Sequence, residues 1–235
     1  QEASGAPTTA TLELLTKARE LAGTVEAVYA GADADAVAGT LGEYGATKVL
    51  STGDLGGALP GVPVANAIAA LIEGGSAPDA ILATTGTLGR DVAGRLSVKL
   101  DRTVLTNTGA LEVDGDTLVT TEPVFGGSTN VKTTFTAGGP HIVLVRPKSF
   151  AAEQSGGAAA TVETIAVPDP GKSGGAVITE RHVEEREGPS LDDAAIVVSG
   201  GRGLGESDKF AMVEELAKLL KGAPGASRAI VDAGW

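Results

Sequence analysis

Apolar residues recur at helical spacing across residues 11–22, where Leu14, Leu15, Ala18 and Leu21 share one face, Glu13 precedes Lys17 by four positions, and Gly23 supplies a stop. A helix is predicted there. The pattern then shortens and lengthens in alternation: a strand over 25–30, an Ala-rich helix over 33–44, a strand over 48–51, a helix over 64–73 and a buried strand over 80–84. Leu88, Val92 and Leu96 mark another helix ending near Leu100. Alternation of this kind predicts a wound parallel sheet flanked by helices. Such a sheet normally opens on a strand, whereas this chain opens on a loop and helix, so an N-terminal strand is expected to be missing.

The texture changes after Val104. Asp114-Gly115 between two alternating runs is a hairpin signal, and 131–135 and 142–145 are further strand candidates, with Gly126-Gly127 and Gly138-Gly139-Pro140 as breaks. An antiparallel extension is the expectation. Residues 151–160 are of low complexity and predict a flexible connection, followed by an extended segment over 162–167. A charge run over 180–187 ends at Gly188-Pro189, which places a domain boundary near 189 and divides the chain into 1–189 and 190–235. In the second part a strand over 196–198 leads to a helix with Phe210, Val213, Ala217 and Leu220 on one face, Asp208 early, Lys218 and Lys221 late, and Gly222 and Pro224 as its close. Residues 230–232 read as a strand that stops abruptly at Gly234-Trp235.

Composition narrows the function classes. The 42% hydrophobic content supports a core, and with only 3% aromatics that core must be Ala, Val and Leu packed at short distance. A net charge of −12 opposes a broad nucleic-acid surface. The absence of Cys excludes disulfides, thiolate nucleophiles and cysteine-held iron–sulfur clusters. No apolar run reaches the length of a membrane span and the first residues lack a secretion-signal layout, so neither membrane insertion nor export is expected, and a cytoplasmic location in a bacterium is the default.

The run 197–210 carries the candidate chemistry. Apolar residues pass into Ser199-Gly200-Gly201-Arg202-Gly203 and then into a helix, an arrangement that brings backbone N–H groups and a helix N-terminus toward an anion. A phosphate or dinucleotide site is the expectation, although Gly201-x-Gly203 is followed by Glu206 where the strict fingerprint needs a third Gly. Other constellations are weaker. Gly171-Lys172-Ser173 lacks the upstream Gly of a P-loop, Ala166 standing in its place. His141 and His182, the two histidines, open an apolar strand and sit in a charge run respectively, so no metal site is expected. Ser199 has no obvious base, and Glu184-Glu185 and Asp192-Asp193 read as solvated linker charges, so no catalytic residue is assigned.

Together, Ser199 to Gly203 and the closing run Gly225-Ala226-Ser227-Arg228-Ala229-Ile230-Val231-Asp232-Ala233-Gly234-Trp235 resemble the alpha subunit of electron-transferring flavoproteins. Earlier, Gly89-Arg90-Asp91-Val92-Ala93-Gly94-Arg95-Leu96, Pro123-Val124-Phe125-Gly126-Gly127 and Val145-Arg146-Pro147-Lys148-Ser149-Phe150 look like that family's first domain. The resemblance implies an α/β fold, a parallel sheet flanked by helices with an antiparallel extension, plus the beginning of a second, Rossmann-like FAD-binding domain. It also implies a beta-subunit partner in a heterodimer, acyl-CoA and other flavin dehydrogenases as electron donors, and a quinone reductase as acceptor. The chain is then an electron carrier, the FAD performing the redox chemistry, rather than an enzyme. Gly201, Arg202 and Gly203 would contact the FAD, Ser227 would hydrogen-bond to it, and Arg228 would lie by the isoalloxazine ring. A guanidinium there favours the negative charge added by one-electron reduction, and two unit charges about 4 Å apart at an effective dielectric near 20 interact by roughly 4 kcal/mol.

Family members continue past the equivalent of Trp235 into a Q-V-G-Q-T-G loop and a G-I-S-G-A-I-Q-H segment that hold much of the cofactor, and this chain has neither. FAD is therefore expected in the parent protein and weakly bound or absent here. Two further readings stand beside the electron carrier. One is a cofactor-free subunit-docking or structural fragment. The other is an adenine-nucleotide-binding α/β enzyme, for which no nucleophile or base can be named.

Overall fold

Thr8 sits in extended backbone with its Oγ1 accepting the Thr11 N–H at 3.1 Å, so the first helix, α1 (Thr9–Leu21), starts two residues ahead of the expected position. The computed structural model describes residues 6–180, 188–191 and 194–235. Most of the charge run, with His182 and Glu184-Glu185, and the Asp192-Asp193 pair lie outside the described residues. The chain divides into two compact units, residues 1–179 and 180–235.

In the first unit β1 (Glu26–Tyr29), α2 (Ala34–Glu43), β2 (Lys48–Ser51), α3 (Gly61–Glu73), β3 (Ala80–Thr84) and α4 (Thr87–Leu100) follow in the expected alternation. Asp33 caps α2 by accepting the Ala36 N–H at 3.1 Å. α3 begins three residues early because Pro63 falls in its first turn, where a missing N–H leaves no helical bond unmade. Six strands complete the unit: β4 (Val104–Thr108), β5 (Ala110–Asp114), β6 (Thr117–Val124), β7 (Thr129–Thr134), β8 (His141–Val145) and β9 (Thr161–Thr164). They form two three-stranded parallel sheets, ordered β1-β2-β9 and β3-β8-β4, and an antiparallel sheet β5-β6-β7 built on the Asp114-Gly115 turn.

Two expectations are corrected. The strand at 142–145, read as part of the antiparallel extension, is the central strand of the second parallel sheet, with Ile81 opposite Ile142 and Val104 opposite the same residue on the other side. Ile142, Val143, Leu144 and Val145 are all buried, and an unbroken apolar run is what a strand covered on both faces requires. Residues 151–160, read as flexible, are a strap tied along α2. The Ser155 N–H donates to the Glu43 carbonyl at 2.7 Å and the Ala160 N–H to that of Ala38 at 3.0 Å. A Cβ on Gly42 would lie 2.2 Å from the Ala158 carbonyl oxygen, so small side chains here permit contact between backbones.

The core is Ala, Val, Leu and Ile as the composition demands. Leu15, Val37, Leu41 and Val49 pack α1 and α2 on the first sheet, while Ala65, Ala69, Val92, Leu96 and Ile142 join α3 and α4 to the second. His141 stacks on Phe135, ring centroids 4.2 Å apart, which accounts for its place beside an apolar strand. Across the first sheet, Lys48 Nζ lies 2.8 Å from Glu163 and 3.6 Å from Glu26. The hydrogen bond to Glu163, then the charges of Glu163 and Glu26, hold its pKa above the ordinary lysine value. Thr108, fully buried at the end of β4, has no hydrogen-bond partner for its Oγ1 among the described residues.

Two outcomes follow from these features. Thr108→Val removes an unsatisfied buried hydroxyl without changing shape, and should raise stability by about 1 kcal/mol in chemical denaturation; a loss of stability would show that the hydroxyl is bonded. Because the folded pKa of Lys48 is raised, its contribution is fully present below the unfolded value and disappears as pH climbs through the folded one. Thermal melts of Lys48→Met should therefore fall below wild type by a constant margin from pH 6 to 9, roughly the range well below lysine titration, and converge on it in strong alkali. A margin that varies across that neutral range would contradict the assignment.

Candidate functional site

The second unit is built on two short parallel strands, β10 (Val197–Gly200) and β11 (Ala223–Ala226), paired Val197 to Ala223 through Gly200 to Ala226. β10 leads into a 3-10 turn at Arg202–Leu204 and a second at Ser207–Phe210, and only then into α5 (Ala211–Leu219). The α-helix thus does not begin at the glycine turn as expected. Gly205 at φ 91° and Glu206 in extended backbone interrupt it, so the N–H groups nearest the turn belong to the short Arg202–Leu204 segment.

Three further expectations change. The apolar strand read at 196–198 is β10, and it is open rather than buried: Ile196 and Val197 are exposed, since among the described residues only β11 pairs with it. The closing segment at 230–232 is not a strand but lies across the end of α6 (Arg228–Val231), with Ser227 at its N-cap position and Ile230 fully buried. The strand is instead Ala-Pro-Gly-Ala at 223–226, which the composition disguised. α5 keeps its predicted buried positions Val213 and Ala217, whereas Leu220 is exposed. It closes in a Schellman arrangement: the Gly222 N–H reaches the Ala217 carbonyl at 2.9 Å and the Lys221 N–H that of Lys218 at 3.1 Å, with Lys221 at φ 53°.

Glycines set the distances in this unit. A Cβ on Gly200 would stand 2.8 Å from Leu204 Cδ1 and 2.9 Å from Val213 Cγ2, so α5 and the turn rest directly on the strand end. A Cβ on Gly222 would lie 2.4 Å from the Ile196 carbonyl oxygen, the acceptor that pairs with the Ala223 N–H at 2.9 Å. These close approaches place the carboxyl ends of β10 and β11 side by side. The Ser227 N–H donates to the Gly200 carbonyl at 3.0 Å, and a Cβ on Gly201 would come within 3.2 Å of Ser227 Oγ. Gly201 and Ser227, far apart in sequence, are therefore neighbours.

Around this pair the groups are open. The N–H groups of Arg202 and Gly203 are the first of their turn and have no carbonyl partner among the described residues, the position from which backbone donors face an anion. Among the described residues, the Ser227 side chain makes no capping bond to α6. Gly203 has nothing within 4 Å of where a Cβ would be. Arg202 is exposed and unpaired among the described residues. Arg228 is 91% exposed and its Nε lies 3.3 Å from Asp232 Oδ2, one helical turn on. At that exposure the screening is water-like, and the interaction of its charge with a nearby anion falls toward about 1 kcal/mol. Backbone N–H groups, a hydroxyl and two guanidinium groups at the strand ends are the chemistry that suits an anionic cofactor.

A family model described as the electron transfer flavoprotein domain matches residues 1–170, and one described as the electron transfer flavoprotein FAD-binding domain matches residues 190–235. The chain belongs to the electron transfer flavoprotein family. It is similar to the alpha subunit of electron transfer flavoprotein from Paracoccus denitrificans, 37% identical over 91% of this chain and 67% of that protein. Its similarity to the alpha subunit from Mycobacterium leprae is 32% identity over 100% of this chain and 73% of the relative. The FixB protein of Azotobacter vinelandii is 34% identical over 67% of this chain and 45% of its own length. Electron transfer flavoproteins carry electrons, and their alpha subunits pair with a beta subunit. The two family matches leave residues 171–189 between them, a span that contains the division between the two units. Among the described residues, no helix is long and apolar enough to cross a membrane, and no cluster of three or more His, Asp or Glu could hold a metal.

Two glycines of this flavoprotein unit separate packing from ligand contact. Gly222→Ala should destabilise the second unit by about 2 kcal/mol, because the obstruction is a backbone oxygen that cannot move without breaking the β10–β11 pairing. Gly203→Ala should leave its stability unchanged. Hydrogen exchange at the 196–226 amides reads both, and equal exchange in the two variants would refute this account of the packing.

Proposed function

We propose that the chain is the alpha component of an FAD-dependent electron carrier, held with a beta subunit and passing electrons from acyl-CoA and other flavin dehydrogenases to a quinone reductase of the respiratory chain in the bacterial cytoplasm. The reading rests on the juxtaposition of Gly201 and Ser227 at adjoining carboxyl ends of parallel strands, where ligands of open α/β sheets collect. Bound FAD supplies reversible one- and two-electron chemistry. The chain's own residues supply anion-facing N–H groups at Arg202 and Gly203, a hydroxyl at Ser227, and positive charge at Arg202 and Arg228.

The ledge formed by these residues is exposed, and it encloses nothing by itself. This supports weak cofactor retention by residues 1–235 alone, tight binding needing further protein surface to enclose the ligand. A second reading, subunit docking by the first unit, is favoured by Phe125. This aromatic is 85% exposed at the β6–β7 turn in left-handed backbone, φ 51°, a conformation costly for a bulky residue and one that suits a contact point.

In the FAD-loaded complex with its beta subunit, Arg228→Ala should lower the one-electron potential by about 40–170 mV, the span between water-like and protein-like screening of a unit charge pair. Asp232→Asn removes the competing carboxylate and should shift the potential the opposite way. Redox titration decides, and potentials unmoved by both substitutions would remove Arg228 from the mechanism. Purified 1–235 alone should show no flavin absorbance; a stoichiometric yellow product would contradict the reading of an incomplete ledge.

A further inference from the structure

The first unit carries a separate cavity of about 470 Å³ at the carboxyl ends of β3, β8 and β4, lined by Thr85, Arg90, Thr106, Asn107, Arg146 and the apolar pair Leu144 and Pro147. Three independent features build it. α4 is brought down onto the end of β3, because Gly89 sits so close that a Cβ would lie 2.0 Å from the Thr84 carbonyl oxygen. Arg90, the next residue, is thereby set at the cavity wall. The central strand β8 delivers Arg146 as its first residue past the strand, fixed by its N–H to the Thr108 carbonyl at 2.9 Å, while the Thr85 N–H bonds Val145 on the other side at the same distance. The third strand is irregular at this point: pairing of β4 with β8 shifts register between Leu105 and Thr108. The displaced residues are Thr106 and Asn107, and both line the cavity. Bulges are uncommon in parallel pairs and commonly re-aim side chains beside binding sites. Asn107, at φ 59°, is held in that posture by its Nδ2 donating to the Pro123 carbonyl at 3.2 Å.

The chemistry is one-sided. Neither Arg90 nor Arg146 makes an ion pair or side-chain hydrogen bond among the described residues, in a protein that has 30 acidic against 18 basic side chains. Among the described residues, no Asp or Glu lines the cavity. Two guanidinium forks and two hydroxyls, opening from a floor that includes buried Leu144, present a donor-rich surface of charge +2. A dianion with several acceptor oxygens matches it in number and sign, and guanidinium is suited to bind phosphate oxygens in pairs.

We infer that the cavity at the ends of β3, β8 and β4 is a binding site for a small phosphate monoester, its phosphate held by Arg90 and Arg146 and its organic part lying over Leu144 and Pro147. The size is that of a small-molecule pocket. The site is in the first unit and does not rest on the proposal for FAD, which concerns residues of the second.

The test is calorimetric titration of the 235-residue chain at low ionic strength with ribose 5-phosphate, inorganic phosphate, ribose and succinate. Ribose 5-phosphate should bind saturably and more tightly than inorganic phosphate, with ribose and succinate much weaker. Arg90→Gln and Arg146→Gln should each weaken binding about tenfold, the worth of one charge-assisted hydrogen bond, and the double variant should abolish it. Arg95→Gln, which removes a charge paired with Asp91 on the same helix, should change nothing. Absence of saturable binding in the wild type, equal binding of succinate, or equal weakening by Arg95→Gln would each overturn the assignment. So would a double variant that binds ribose 5-phosphate as before. Loss of beta-subunit affinity in the double variant, with no phosphate binding by the wild type, would assign the two arginines to a protein contact instead. Circular dichroism of each variant confirms that the fold is retained.

Discussion

Close approach between backbone and backbone is the constraint on which the rest of this structure depends. At Gly42, Gly89, Gly200 and Gly222 a single methyl group would stand between 2.0 and 2.8 Å from a neighbouring atom. Three of these collisions are with carbonyl oxygens, which cannot swing aside as a side chain can. The scarcity of aromatics and abundance of Ala and Gly are therefore geometry rather than simplicity. Helices lie directly on strand ends, and the residues immediately after the glycines, Arg90 and Gly201, inherit fixed positions at the rim of a parallel sheet.

That inheritance connects fold to chemistry in both units. In the second, contact between Gly200 and α5 settles the turn, and the turn sets Gly201 against Ser227, with backbone donors and two cations at the edge. In the first, contact between Gly89 and Thr84 settles α4, and α4 sets Arg90 at the wall of the cavity that Arg146 also lines. Exposure decides how much each charge is worth. Arg228, almost wholly in water and shared with Asp232, has little electrostatic leverage until something covers it, so enclosure by a cofactor and its surroundings is what would convert that charge into a redox effect.

Where local chemistry decides, the sequence was legible. Helical spacing placed α1, α2 and α4 within two residues of their ends, and Asp114-Gly115 located the β5–β6 hairpin. What could not be read was which strands pair. Residues 142–145 look like any apolar strand, and nothing nearby says that they insert between β3 and β4. Ala223-Pro224-Gly225-Ala226 has poor strand propensity yet pairs with β10, because small residues fit the narrow space beside Ser199. Ile230 and Val231 have good strand propensity yet close into α6, with Ile230 filling the interior. The candidate site at Gly201 to Gly203, Ser227 and Arg228 was nameable from glycine spacing and family resemblance. The cavity at Arg90 and Arg146 was not, since its members come from three strands and a helix, and the register shift at Thr106 and Asn107 leaves no mark in composition.

The strap that runs along α2 and ends in β9 has a consequence for biogenesis. β9 is the third strand of a sheet whose other two members lie within residues 26–51, so that layer stays open at one side until residue 164 has left the ribosome. By then the β5–β6 hairpin, whose partners are adjacent in the chain, has had time to form. The nascent protein thus exposes the flank of β2 for the longest interval of its synthesis. A chaperone that recognises unpaired strand edges would find its target there.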